Sequence, residues 1–159
     1  MVKLVLDADG AIKLARAGVL KHLAGFAKCF MPKQTYQEVL RGKEKMYDDA
    51  FIIEELAENK EINVIDVKAE ERIGLGPGES AAFVLFQKLK ADAIVSDDRK
   101  FLAFLEEEEI AFLTPTHAIV LLAVKKVLSK GDSLAALDKI RSLVREQNYH
   151  DAKEMIGGE

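Results

Sequence analysis

Five short apolar runs recur along this chain, each separated from the next by residues with helical spacing: Val2–Leu6, Lys28–Met31, Glu61–Val67, Ala93–Val95 and Ile110–Leu113. Runs of this length, bounded by Pro, Gly and Asp, read as strands, and strands alternating with helices give βαβ units. Such units pair their strands side by side and cover both faces with helices. The expected fold is therefore α/β, a three-layer sandwich around a central, mainly parallel five-stranded sheet, with right-handed crossovers.

The intervening segments support this. Ile12, Leu14, Ala15, Val19, Leu20, Leu23 and Phe26 keep a helical spacing, interrupted near Gly18. Pro32 precedes a helix expected over Gln34–Lys45, with Tyr36, Val39 and Leu40 on one face. Asp48–Asn59 forms another, with Phe51, Ile52 and Leu56 expected inward. The glycine-rich turn at 74–78 opens a helix through Ala81, Ala82, Val84, Leu85 and Leu89, and Phe101–Leu105 gives a further one. Glu106–Glu109 reads as a solvated helix end. Helices are then expected over Ala118–Leu128 and, after a Gly131-Asp132-Ser133 cap, over Leu134–Glu146, followed by a short amphipathic tail.

A chain of 159 residues suits one domain, and 49% apolar with 31% charged residues is the composition of a globular protein. No apolar run reaches the length of a bilayer span and the N-terminus lacks signal-peptide design, so a cytoplasmic location is expected. Cys29 is the only cysteine. It sits in an apolar run and reads as a core thiol, which leaves no thiolate zinc set. His22, His117 and His150 are dispersed. The net charge of -4 argues against a protein that coats nucleic acid non-specifically.

The chemistry-bearing residues are acids at element junctions. Asp7 closes the first strand, followed by Asp9 and Gly10, and the carboxyl end of a strand in an open parallel sheet is where ligands collect. Asp98, with Asp97 beside it, follows the fourth strand in the same way. Glu79 lies in a first helical turn just past Gly78, and Glu38 in the early turns of the helix after strand two. Each has a structural reading too: Asp9 and one of Asp97 and Asp98 as helix caps, Glu79 as an acid at a positive helix end, Glu38 as helix surface. Brought to one edge they weigh more. Two carboxylates about 5 Å apart repel by roughly 3 kcal/mol at an effective dielectric near 20, and a divalent cation relieves this. Oxygen-only ligands suit Mg²⁺ or Mn²⁺. Lys33, Arg99 and Lys100, expected on loops at the same edge, would either meet phosphate or stay solvated.

These residues resemble the PIN-domain nucleases, including VapC-type toxin ribonucleases. The carriers are Leu4-Val5-Leu6-Asp7, Glu38-Val39-Leu40, Gly78-Glu79-Ser80-Ala81-Ala82 and Val95-Ser96-Asp97-Asp98-Arg99-Lys100-Phe101, with the fifth strand and Thr114-Pro115. The resemblance covers about residues 1–130 and leaves 131–159 as a helical C-terminal extension of a single domain, 1–159. It implies Mg²⁺- or Mn²⁺-dependent phosphodiester cleavage, usually of RNA. It also implies Asp7, Glu38, Glu79 and Asp98 as the catalytic, metal-binding quartet, with Asp9 and Asp97 as secondary ligands. Ser96 matches the small hydroxyl residue before the family's last acid, a candidate substrate contact. A homodimer follows from the family's habit, as does an antitoxin partner for a toxin-like member. Ala8-Asp9 departs from the Thr or Ser that often follows the first acid.

Two other readings compete. Leu6-Asp7-Ala8-Asp9-Gly10 resembles the loop of haloacid-dehalogenase-like phosphatases, with Asp7 as nucleophile and Asp9 as acid/base. Ala11 stands where that loop expects Thr, and Glu38 and Glu79 are left without roles. The third reading is a non-catalytic RNA- or protein-binding module. The apolar faces of the late helices (Leu134, Leu137, Ile140, Leu143) would serve a dimer or pack on the sheet.

Overall fold

The structure is a computed structural model that describes residues 1–44, 47–70, 72 and 74–157. Strands β1 (Lys3–Leu6), β2 (Lys28–Pro32), β3 (Ile62–Ile65), β4 (Ala93–Val95) and β5 (Phe112–Leu113) form one sheet in the order β3-β2-β1-β4-β5. Every neighbouring pair is parallel. β1 thus lies at the centre. The chain steps outward through β2 and β3, then returns to pair β4 on the other side of β1, in register Leu4 with Ala93 and Leu6 with Val95.

Nine helices accompany the sheet among the described residues. Those numbered α1 (Ala8–Arg16) and α2 (Leu20–Phe26) join β1 to β2, while α3 (Lys33–Glu44) and α4 (Asp48–Glu58) join β2 to β3. The later ones are α5 (Pro77–Leu89), α6 (Arg99–Glu107), α7 (Pro115–Val124), α8 (Lys130–Ile140) and α9 (Glu146–Ile156), with a 3₁₀ turn at Arg141–Leu143. Because side chains alternate along a strand, each strand supplies two cores. Leu4, Leu6, Cys29, Met31 and Val95 point to the face covered by α1, α2, α4 and the late helices. Val5 and Ile94 point to the opposite face, covered by α5 and α6 through Phe83, Leu85, Phe101 and Leu105. There the Phe83 and Phe104 rings meet edge to face at 5.1 Å. The expected three layers and five strands are present, and the sheet is wholly parallel. No helix among the described residues is long and apolar enough to cross a membrane.

Several local expectations change. The spacing over Ile12–Phe26 resolves into two helices separated by Gly18 at φ 78°. In α4, Phe51 and Ile52 face outward, while Ala50, Ile53 and Leu56 are buried. Asp49 occupies the inward turn and pairs with Arg16 at 2.8 Å. The late helix begins earlier than expected: Ser129 caps it, its Oγ accepting the Asp132 N–H, so Gly131–Ser133 lie inside α8. It ends at Ile140, and the amphipathic tail is α9. Leu137 and Ile140 are buried in the same core as Leu4 and Leu6, with Leu143 packed against it, so this apolar face packs inward. Cys29 is buried, which pushes its thiol up to about 12. Lys45, the expected end of the second helix, lies outside the described residues, as do Gly158 and Glu159.

Candidate functional site

The sheet order reverses between β1 and β4, and this is where the acids gather. In open parallel sheets such a switch point leaves a crevice beyond the carboxyl ends of the strands. A cavity of about 450 Å³ opens there, lined by Asp7 and Asp9 after β1, Glu38 on α3, Glu79 on α5 and Asp98 before α6. Four separate stretches of chain deliver these carboxylates. α3 packs against α5, which faces Glu38 toward Glu79.

Asp7 is the deepest of them, 5% exposed. Its own N–H continues the ladder to the Val95 carbonyl at 3.1 Å. Its side chain, not that of Asp9, is the N-cap of α1: Oδ1 accepts the Gly10 N–H at 2.7 Å. The expectation that Asp9 caps this helix is thus corrected. Burial drives the Asp7 pKa up to about 7, with the nearby Asp9 and Glu79 charges adding to the rise, against the stabilising Ser96 hydroxyl and Gly10 N–H. Glu79 sits in the first turn of α5, where Pro77 begins the helix, and accepts the Gly76 N–H at 3.0 Å. Burial raises its pKa too; the Gly76 bond opposes this, while the Asp98 and Glu38 charges and a hydrogen bond with Asp98 reinforce it. Asp98 caps α6 through the Phe101 N–H at 3.0 Å. Each capping acid offers one oxygen to a helix start and keeps the other.

Two of the six acids share one cation from within the fold. Lys13, one turn along α1, lies 2.7 Å from Asp97 and 3.2 Å from Asp9. Burial alone would lower its pKa, but the Asp97 hydrogen bond and the charges of Asp9 and Asp97 hold it above the ordinary value. Asp97 does not line the cavity. Ser96 is buried behind Asp7 and Asp98, accepts the Asp98 N–H at 3.2 Å, and is not among the residues that line the cavity. Lys33, Arg99 and Lys100 are exposed first residues of α3 and α6, not loop residues, and none lines the cavity.

Three features were not visible in the sequence. Arg41 lines the cavity one turn beyond Glu38, on the helical face that also carries Gln34 and Gln37. Thr35 is buried below this face, and its Oγ1 has no hydrogen-bond partner among the described residues. Gly78 packs tightly against α3: a Cβ there would stand 3.3 Å from both Glu38 Oε2 and Thr35 Oγ1, so these side chains would have to give way. The glycine before Glu79 was legible as a turn; its packing against α3 was not.

The donor set is all oxygen, strongly acidic and electrostatically strained, which fits a hard divalent cation such as Mg²⁺ or Mn²⁺. Among the described residues no three His, Cys, Asp or Glu side chains converge closely enough to hold an ion as they stand. The acids face one cavity with their side chains still apart.

A family model described as DUF3368, PIN domain, matches residues 3–155. No curated protein matches the chain. The matched span runs past residue 130 and through most of α9.

Proposed function

Because the chain belongs to the PIN-domain family, we propose that it is a divalent-metal-dependent ribonuclease whose cation is held by Asp7, Glu38, Glu79 and Asp98. The observation that carries this reading is the convergence of those four acids, from β1, α3, α5 and the start of α6, on one cavity at the switch point. Asp7 and Glu79 both have raised pKa values there, chiefly because they are buried, with the neighbouring carboxylate charges adding to the rise. The same reading takes residues 1–159 as one PIN-like unit, since the late helices bury Leu137, Ile140 and Tyr149 in the core that holds Leu6.

When bound, a cation of this kind activates a water and stabilises negative charge on a scissile phosphate. The chain does the rest. Asp7 is fixed by the Gly10 N–H, Glu79 by the Gly76 N–H and Asp98 by the Phe101 N–H, so three of the four acids are oriented by backbone amides before anything binds. Lys13 engages Asp9 and Asp97, so we assign the cation to the other four acids, with Asp9 beside them in the cavity lining. A phosphatase would need Asp9 as a free acid/base, and its carboxylate is instead engaged by Lys13.

The test is cleavage of single-stranded and structured RNAs with Mn²⁺ or with EDTA, beside Asp7→Asn and Asp9→Asn. Outer-shell partners of a metal are worth about 10–100-fold, so losing a direct ligand in Asp7→Asn should cost about 100-fold or more, with Asp9→Asn much milder. Cleavage in EDTA, or full activity of Asp7→Asn, would sink the proposal.

A further inference from the structure

An acidic cavity has a difficulty with an anionic substrate, and one side chain on its wall answers it. Among the described residues, five carboxylates line the cavity (Asp7, Asp9, Glu38, Glu79, Asp98), and Arg41 is the one cationic residue that lines it. A bound divalent cation offsets two charges at most, so a phosphate chain entering the cavity still meets net negative charge.

Among the described residues, the neighbouring cations Lys13, Lys33, Arg72, Arg99 and Lys100 do not line the cavity, and Arg72 lies over the Phe83 ring. Lys13 is committed to Asp97 at 2.7 Å and Asp9 at 3.2 Å. Lys33, Arg99 and Lys100 are exposed but do not reach the lining. Arg41 does reach it, from the same helical face as Gln34, Gln37 and Glu38, an i, i+3, i+4, i+7 set that turns one side of α3 into a cavity wall. It stands one turn past Glu38, about 4.5 Å further along the helix axis. Beneath this wall the buried Thr35 Oγ1 is without a partner among the described residues, a polar atom such as a ligand-binding wall retains.

We propose that the α3 face is the substrate-binding wall of the cavity, with the Arg41 guanidinium taking a backbone phosphate of an RNA strand next to the phosphate that is cleaved. The planar fork of Arg suits two phosphate oxygens at once, and a phosphate contact sets position without reading sequence. This inference rests on the nuclease reading for the identity of its ligand but makes a separate claim about where the strand is gripped.

Binding of a fluorescein-labelled single-stranded RNA is measured by anisotropy with Ca²⁺ present, over a range of salt, for the intact chain and for Arg41→Ala, Arg41→Lys and Lys88→Ala. Lys88 is an exposed cation at the far end of α5 from Glu79 and controls for a lost charge alone. Arg41→Ala should weaken binding about tenfold and flatten the dependence of log Kd on log salt by about 0.7, the value of one lost phosphate contact on a single strand. Arg41→Lys should keep the slope and lose only part of the affinity, and Lys88→Ala should change neither. Equal effects of Arg41→Ala and Lys88→Ala, an unchanged slope, or no RNA binding by the intact chain overturns the inference. Arg41-dependent binding without any Mn²⁺-dependent cleavage upholds the wall and removes the nuclease reading. Asp7-dependent cleavage with Arg41-independent binding does the reverse.

Discussion

At the end of β1, the Asp7 carboxylate accepts the Gly10 N–H and is almost wholly buried, and burial is the main reason its pKa stands at about 7 rather than 3.8. An acid whose pKa is raised by folding stabilises the folded chain below the unfolded value and loses that contribution as pH rises through the folded value. Between about pH 4 and 7 the metal-free protein should therefore lose stability on account of Asp7, at no more than about 1.4 kcal/mol per pH unit. Asn has the same shape and keeps an oxygen for the Gly10 N–H, so it removes the charge without removing the cap. Asp7→Asn should be more stable than the parent at pH 7.5 in EDTA, with little difference at pH 4, by urea denaturation. Mn²⁺ should stabilise the parent and not the variant, because a ligand bound only to the folded state adds stability by mass action. Equal stabilities at pH 7.5 would show that Asp7 is not held against its charge. That Asp7 rather than Asp9 caps α1 was not legible in the sequence, since both lie within one turn of the helix start. The pairing of β1 with β4 decides it, by fixing the Asp7 backbone extended at ψ 171° and letting the helix begin one residue later.

Between elements, the start of α1 comes hard against β4 at Gly10. A Cβ at this position would stand 2.7 Å from the Val95 carbonyl oxygen and 3.0 Å from Asp7 Oδ1. The glycine that made Asp7-Ala8-Asp9-Gly10 resemble a phosphatase loop is thus explained by packing. Gly10→Ala gains about 1 kcal/mol of helix propensity but must push a helix off a central strand, and overpacking a tight site costs typically about 1–3 kcal/mol. The clash should win, because its partner is strand backbone that cannot rotate away. At Gly25 in α2, by contrast, an added Cβ would meet nothing within 4 Å. Gly25→Ala should therefore stabilise by roughly 0.5–1 kcal/mol, so thermal melts of the two variants should move in opposite directions. A Gly10→Ala chain that melts as high as the parent would contradict this packing. Strand positions and the acids at their ends were readable because short apolar runs and their punctuation are local. The Lys13–Asp97 pair spans 84 positions in sequence and only the sheet brings it together. The outward Phe51 and Ile52 of α4 show the same limit: a helix with apolar residues on two sides does not say which side the neighbours will cover.

Across the whole molecule, the five-strand alternation was legible because each βαβ unit is nearly self-contained, whereas the late helices depend on contacts that no local pattern shows. From the sequence, residues 131–159 read as an extension of a core ending near 130. In the structure α7 packs against both α8 and α9, and Leu137, Ile140, Tyr149 and Ala152 are buried with Leu122 in the core on the α1 face of the sheet. Tyr149 is held at its hydroxyl and over its ring, the hydroxyl donating to Asp138 at 2.6 Å and the Arg141 guanidinium lying 4.5 Å from the ring centre. Removing this segment would uncover Ile119 and Leu122 and forfeit the burial of several large side chains, each worth about 1.5–3 kcal/mol. That sum is comparable with the roughly 5–15 kcal/mol by which whole domains are stable. A chain truncated after Lys130 should therefore fail to give a cooperative thermal transition and should bind a hydrophobic dye, although every proposed cation ligand and Arg41 lie before the cut. The milder variants Leu137→Ala and Ile140→Ala should each lower stability by about 2–5 kcal/mol while leaving RNA affinity unchanged wherever the protein remains folded. A truncated chain with a sharp transition near that of the parent would instead make residues 131–159 a true appendage to a core that ends where the sequence suggested.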